Sequence, residues 1–121
     1  MHLLKRHTIS FKHAIDGLVY TFRSQPNFRV HTVFAILAVS SGFYFSISPS
    51  EWAVITLVIS WVLVSEMINT TIESVIDLHV QTHHDLAKIA KDVSAGMVLL
   101  SAIMAVVVGL IIFVPPIWQL F

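Results

Sequence analysis

Residues 93–114 read VSAGMVLLSAIMAVVVGLIIFV and contain no charged side chain. A run of about 20 apolar residues is long enough to cross the roughly 30 Å hydrocarbon core of a bilayer as a helix. Pro115 and Pro116 follow the run and are expected to end that helix. In the chain of 121 residues, 56% are hydrophobic and 12% charged, whereas soluble domains have about 25% charged residues. The composition therefore excludes an ordinary soluble domain and predicts one integral-membrane domain over residues 1–121.

Two more apolar segments precede this one, at about residues 31–47 and about 52–72. Residues 48–51, SPSE, separate them, and the proline predicts a turn because it fixes its own φ and lacks an N–H donor. Ser50 is the expected N-cap of the helix that follows. The three segments together predict an all-α membrane protein with three transmembrane helices.

The polar N-terminal segment of the chain predicts an amphipathic helix that lies on the membrane surface over about residues 5–25. Its apolar side chains recur at helical spacing: Phe11, Ile15, Leu18 and Phe22. Residues 1–29 carry five cations and one anion, which under the positive-inside rule places the N-terminus in the cytoplasm, at the inner or plasma membrane. The zero net charge offers no basic field for nucleic acid, so no nucleic-acid partner is expected.

A polar stripe interrupts the second apolar helix at residues 66–77, EMINTTIESVID. Four of its side chains share one helical face: Glu66, Asn69, Glu73 and Asp77. An ionisable group inside a bilayer costs roughly 3 kcal/mol and is a functional candidate by default. Three stacked carboxylates repel one another, which favours a hard divalent cation between them. The structural alternative is a polar seam that holds helices together.

Lys91 and Asp92 are expected to open the third helix at the same membrane boundary as the acidic stripe. The ammonium of Lys91 and the free N–H groups of a helix N-terminus both favour phosphate oxygens. The alternatives are a lysine that extends to the interface and ordinary capping by Asp92.

Segments 66–77 and 87–96 together resemble the prokaryotic diacylglycerol kinase/undecaprenol kinase family. The family motif E-x-x-N-T/S-x-I-E-x-x-x-D, followed at a fixed distance by A-K-D, is present as EMINTTIESVID and AKIAKDVSAG. The resemblance covers about residues 5–113. Members are small homotrimers that phosphorylate a lipid alcohol with magnesium ATP. The resemblance thus implies a lipid kinase with ATP and a lipid alcohol as substrates and Mg²⁺ as cofactor, and residues 27–31, NFRVH, look more like the undecaprenol branch than the diacylglycerol branch.

The resemblance also implies roles for individual residues. Glu66 is the implied catalytic base on the lipid hydroxyl, and Glu73 with Gln25 are the implied magnesium ligands. The residues implied to contact the nucleotide are Arg6, His13, Gln25, Glu73, Asp77, His84, Lys91 and Asp92. The residues implied to border the lipid are Asn27, Phe28, Arg29, Glu66, Asn69 and Ala95.

The chain departs from the family pattern at three places. Gln25 stands where the family usually has a glutamate, so the metal loses one charged ligand. Residues 82–84 read THH in place of Glu-Tyr-His, and His13 lies near the position of a nucleotide-contacting tyrosine. These departures bear on the metal ligands and the nucleotide contacts, and through them on catalytic competence.

Homotrimer formation is implied by the resemblance and has two supports in the sequence. Ser101, Ala105 and Gly109 form a stripe of small residues of the kind that lets membrane helices approach closely. A three-helix chain with one polar seam is also expected to hide its acids poorly as a monomer.

A second function class remains open, namely a non-enzymatic oligomeric channel or transporter subunit with the acidic stripe as its polar pathway. The residue pair Lys91–Asp92 separates the two hypotheses, because a phosphate donor needs a cation there and a cation pathway is hindered by one.

Overall fold

The computed structural model describes the backbone of residues 2–121 and the side chains of residues 10–121. The chain forms four helices: α1 His2–Ser24, α2 Pro26–Tyr44, α3 Pro49–His79 and α4 Asp85–Trp118. The prediction of an all-helical protein is confirmed for the described residues. By length and composition, α3 and α4 are each able to cross a membrane.

The break between α1 and α2 lies where the sequence predicts it. Gln25 is extended, with φ −108° and ψ 106°, and Pro26 opens α2, because the residue before a proline is disfavoured in helical conformation. The rings of Phe22 and Phe28 pack edge to face across this break with centroids 6.5 Å apart. Phe11, Ile15 and the rest of the predicted apolar stripe of α1 remain exposed, as an interfacial helix requires.

The turn between α2 and α3 differs from the prediction in two details. Helix α2 ends at Tyr44 rather than near residue 47, because Ser46 adopts a left-handed φ of 50° that a continuing helix does not allow. Ser48, and not Ser50, is the N-cap of α3, and Pro49 fills the first helical position. The Ser48 side chain accepts from the Glu51 backbone N–H, while Glu51 Oε2 accepts from the Ser48 N–H at 2.7 Å.

Helix α2 is not among the described helices that pass the length and composition criteria for a membrane span. It has 19 residues, and its first turn carries Arg29, so that about 15 residues, or roughly 22 Å, remain. That length is short of a hydrocarbon core of about 30 Å. A third membrane crossing by α2 therefore stays a proposal.

Helices α3 and α4 form the core of the molecule. Their buried apolar side chains are Ile55 and Val62 on α3 and Val98 and Ile112 on α4. Among these side chains, the hydroxyls of Ser65 and Ser101 share a hydrogen bond of 2.8 Å. Ser101 therefore uses its small size to pack against α3 of the same chain rather than against a neighbouring molecule.

Both predicted ends of the third apolar helix are wrong. Helix α4 begins at Asp85, where an acidic side chain in the first turn interacts favourably with the helix dipole. At the other end the helix includes Pro115 and Pro116 and continues to Trp118. Proline's fixed φ of about −65° is compatible with a helix, so the two prolines interrupt the hydrogen bonding without ending the helix.

Candidate active site

Glu66 is the deepest-lying carboxylate of the polar stripe. Its exposed fraction is 2%, and its Oε1 atom has no hydrogen-bond partner among the described residues. Nε2 of His31, from α2, lies 3.4 Å from that oxygen. A buried carboxylate oxygen without a hydrogen bond is costly, so this position is one that a donor from a substrate is suited to fill.

Asn69 links the two glutamates of α3 to α4. Its Nδ2 donates to Oε1 of Glu73 at 3.3 Å, and its Oδ1 accepts from the Ser94 hydroxyl at 2.6 Å. Asn69 and Ser94 are both buried, whereas Glu73 is partly exposed. The amide thereby fixes the rotamer of Glu73 and holds α4 against this part of the stripe.

Lys91 faces the Asp77 end of the stripe. Its Nζ donates to Oδ1 of Asp77 at 2.7 Å, and this hydrogen bond raises the pKa of Lys91 above its usual value, with the charge of Glu73 adding to the effect. Lys91 is therefore cationic at any physiological pH. It lies in the second turn of α4, six residues past Asp85, so the prediction that helix N-terminal N–H groups act beside Lys91 is wrong.

An apolar cavity of about 470 Å³ lies between α2, α3 and α4. It extends along α2 from His31 to Ser41 and is lined by Val62 on α3 and by Ala105 and Gly109 on α4. His31 thus borders both the cavity and the carboxylate of Glu66. The small residues of α4 line this cavity inside the chain.

The model of the prokaryotic diacylglycerol kinase family matches residues 12–113. The chain belongs to that family. By family the protein is a lipid kinase, and the apolar lengths of α3 and α4 agree with a membrane location for such a kinase.

Among curated proteins, the kinase is 42% identical over 113 residues to a diacylglycerol kinase from Synechocystis sp., a match that covers 93% of this chain and 65% of the relative. It is 40% identical over 112 residues to an undecaprenol kinase from Bacillus subtilis, with 93% of this chain and 91% of the relative covered. A diacylglycerol kinase from Pseudomonas aeruginosa is 27% identical over 93 residues, 77% of this chain and 76% of the relative. The two relatives of about 40% identity differ in the lipid that they are named for.

Mg²⁺ is the cofactor that the resemblance implies, and its ligands would be oxygen atoms of side chains, phosphates and waters. No group of three or more His, Cys, Asp or Glu side chains suited to a metal occurs among the described residues. Mg²⁺, however, is usually bound through one or two carboxylates together with substrate phosphates and waters. Glu73 fits this pattern, since Asn69 engages its Oε1 and Oε2 stays available to a cation, and Gln25 offers an uncharged amide oxygen.

Several residues implied by the family lie outside the cluster of Glu66, Asn69, Glu73, Asp77 and Lys91. The side chain of Arg6 lies outside the described residues. The following are exposed and have no described hydrogen bond or ion pair to the cluster: His13, Asn27, Arg29, His84, Asp92 and Ala95. Asp92 pairs with Lys88 one turn away, and Arg29 donates to the carbonyl of Arg23. Phe28 is buried against Phe22, and Gln25 is half-buried at the α1–α2 break.

His31 and Ser94 contact the cluster, and no role was predicted for either side chain. For His31 a signal was present, because an ionisable side chain within an apolar segment marks a functional site by default. For Ser94 no comparable signal exists, since small hydroxyl residues are common at helix contacts in membranes.

Proposed function

We propose that this protein transfers the γ-phosphate of ATP to the hydroxyl of a membrane lipid alcohol, with undecaprenol rather than diacylglycerol as the preferred acceptor. The observation that carries the proposal is the buried Glu66, whose unpartnered Oε1 lies beside the end of an apolar cavity. A hydrocarbon chain in that cavity would bring its terminal hydroxyl to the carboxylate. The preference for undecaprenol rests on the NFRVH stretch, since the relatives of about 40% identity include both a diacylglycerol kinase and an undecaprenol kinase.

In the proposed reaction, Glu66 accepts the proton of the lipid hydroxyl as the oxygen attacks the γ-phosphorus. The bond between the γ-phosphorus and the bridging oxygen breaks, and ADP leaves with that electron pair. The products are the lipid phosphate, ADP and a proton, which Glu66 afterwards releases. Lys91 is the proposed cation that neutralises charge on the phosphates, and catalysis of this kind consists mostly of positioning and charge stabilisation.

Bound Mg²⁺ supplies neutralisation of phosphate charge during the transfer. Glu73 is the proposed carboxylate ligand, with the oxygen of Gln25 as an uncharged second ligand. Asn69, which holds Glu73 at 3.3 Å, would then orient the ligand rather than bind the metal itself.

We further propose that the kinase works as a homotrimer at the inner or plasma membrane, with three crossings and a cytoplasmic N-terminus. The excess of cations in residues 1–29 supports the orientation, since it places the Lys91 end of α4 on the side where ATP is found. The trimer rests on the family resemblance. The channel hypothesis is disfavoured because Lys91, paired with Asp77, is a cation at one end of the polar stripe and would hinder the passage of cations.

The test is a lipid phosphorylation assay in mixed micelles, with diacylglycerol and undecaprenol offered in parallel to the wild type and to Glu66→Gln. Glu66→Gln keeps the shape of the side chain and removes the proton acceptor, so turnover should fall at least about 10²-fold. Glu51→Gln is the matched control, since Glu51 lies at the opposite end of α3 in the capping box, and it should turn over normally.

The wild type should phosphorylate undecaprenol with the higher kcat/KM. Near-normal turnover of Glu66→Gln would remove this residue as the base, and ATP-dependent phosphorylation of neither lipid would remove the proposed function.

A further inference from the structure

We infer that His31 is a positioning residue for Glu66, one that holds the carboxylate of the base in place by donating from its imidazole. The inference rests on the proposed function, because it assigns a partner to the base of that reaction. Its evidence is the contact between His31 and Glu66, the burial around it and the lack of any other described donor to the same oxygen.

The contact joins two helices at a buried point. His31 lies in the second turn of α2, and its Nε2 is 3.4 Å from Oε1 of Glu66 on α3. The exposed fractions of the two side chains are 21% and 2%. The separation is slightly longer than an ordinary N–H···O hydrogen bond, and contacts of catalytic groups commonly tighten when substrate binds.

The other described polar side chains near Glu66 do not donate a hydrogen bond to its carboxylate. On its own helix, Glu73 adds a like charge that repels the carboxylate. On α4, the buried polar groups Ser94 and Ser101 already bond to Asn69 and Ser65. Lys91 is engaged by Asp77 farther along the stripe. Within the described residues, His31 is therefore the group placed to donate to Glu66.

A base that must accept a proton from a bound hydroxyl needs a fixed oxygen, because a small misplacement of a reacting group is costly. A carboxylate oxygen has two lone pairs, so Oε1 is able to accept from His31 and from the lipid hydroxyl together. His31 also lines the apolar cavity, so a lipid in that cavity would place its hydroxyl against both groups. The imidazole is thus suited to align the base and to mark the end of the lipid site.

The test compares His31→Leu and His31→Gln in the lipid phosphorylation assay. Leucine fills similar space without a donor, whereas the amide of glutamine keeps an N–H at nearly the reach of Nε2. His31→Leu should lower kcat about 10- to 100-fold, the range for a hydrogen bond to a charged group, with KM for ATP changed less than about twofold. His31→Gln should recover most of that loss.

Thr32→Val is the matched control, since among the described residues the neighbouring hydroxyl bonds only to the carbonyl of Phe28 on its own helix, and it should keep normal kinetics. Equal losses in His31→Leu and His31→Gln would show that the imidazole acts by packing, and a normal kcat in His31→Leu would remove the role altogether.

A double variant keeps the inference testable if His31→Leu lowers the thermal stability. If His31 acts through Glu66, the double variant His31→Leu/Glu66→Gln should be no slower than Glu66→Gln alone, since residues that act as a unit are not additive. A double variant whose loss of kcat is the product of the two single losses would overturn the inference. Glu66→Gln measured alone separates the two proposals: if it is active, the assigned base is wrong, whereas an inactive Glu66→Gln with a normal His31→Leu removes only the role of His31.

Discussion

At the scale of single residues, Lys91 is held by a carboxylate of the acidic stripe. Its Nζ lies 2.7 Å from Asp77, and an ammonium on a flexible stem is able to exchange that partner for phosphate oxygens. The Asp77 contact therefore keeps the ammonium close to the acidic stripe, in the second turn of α4 rather than at its N-terminus.

Replacing Lys91 with methionine keeps much of the stem and removes the charge. Lys91→Met should raise KM for ATP at least about tenfold, the equivalent of one lost charged contact. Lys88→Met is the control, because Lys88 pairs with Asp92 on the exposed surface of α4 and should keep a normal KM. Initial rates against ATP concentration measure the effect, and gel filtration checks assembly. Normal ATP dependence in Lys91→Met would place the nucleotide elsewhere.

Gln25 gives a second prediction at this scale, since it stands where the family usually has a glutamate. A carboxylate in place of the amide adds a charge to the proposed magnesium site, and divalent affinity rises with ligand charge. Gln25→Glu should therefore reach half-maximal rate at a lower free Mg²⁺ concentration than the wild type. Titration of Mg²⁺ at fixed MgATP measures this, and an unchanged half-saturation point would exclude Gln25 from the coordination shell.

The stripe on α3 could be predicted from the sequence because its residues are neighbours on one helix, where spacing alone determines the face. The contacts of Asn69 with Ser94 and of Glu66 with His31 join residues on different helices. Such contacts depend on how α2 and α4 are placed around α3, and helical periodicity in one segment carries no information about that placement.

At the scale of helices, the break at Gln25 follows from a local signal, the proline that comes after it, whereas the start of α4 does not. Residues 85–92 alternate charged and apolar side chains, so the low hydropathy of this part hides a helix that is continuous with the apolar run. A hydropathy reading locates the apolar part of a membrane helix and misses the amphipathic turns that extend it into the interface.

The contact between α2 and α3 near their connecting turn depends on Gly42. A Cβ at this position would lie 2.7 Å and 2.9 Å from two ring atoms of Trp52, and Phe43 packs on the same ring with centroids 4.8 Å apart. Gly42→Ala should therefore cost about 1–3 kcal/mol through overpacking, which lowers the unfolding temperature.

The measurement is thermal unfolding in detergent, with Gly96→Ala as the control. Gly96 lies inside α4 with no atom within 4 Å of an added Cβ, so alanine there should raise stability by up to about 1 kcal/mol. Equal shifts in the two variants would mean that Trp52 yields without cost.

At the scale of the whole molecule, the expectation that a single chain hides its acids poorly fails for Glu66 and holds for Asp77, which is exposed, and in part for Glu73, which is partly exposed. A single chain already buries Glu66 and Asn69, at exposed fractions of 2% and 9%, so association is not needed to hide the inner part of the polar stripe. The exposed apolar side chains of α4, such as Leu99, Ile103 and Leu110, are free to face lipid or a neighbouring copy.

The proposed trimer is tested by the protein mass of the detergent complex, measured by light scattering with the detergent contribution subtracted. Closed symmetric assembly of three chains of 13.5 kDa should give a protein mass of about 40 kDa. A mass near that of one chain, in a preparation that phosphorylates lipid, would show that the site of a single chain is sufficient.

Three hydrogen-bonded polar pairs join α3 and α4, and all three form together at one axial register of the two helices. Ser65–Ser101, Asn69–Ser94 and Asp77–Lys91 lie in sequence along the contact, and a slip by one helical turn, about 5.4 Å, would break all three at once. Hydrogen bonds between membrane helices contribute only about 0.6 kcal/mol each on average. The loss of all three pairs together nevertheless opposes sliding of α4 along α3. The three contacts therefore tie α4 to α3 at one register, and His31 reaches Glu66 from α2, the helix outside that pair.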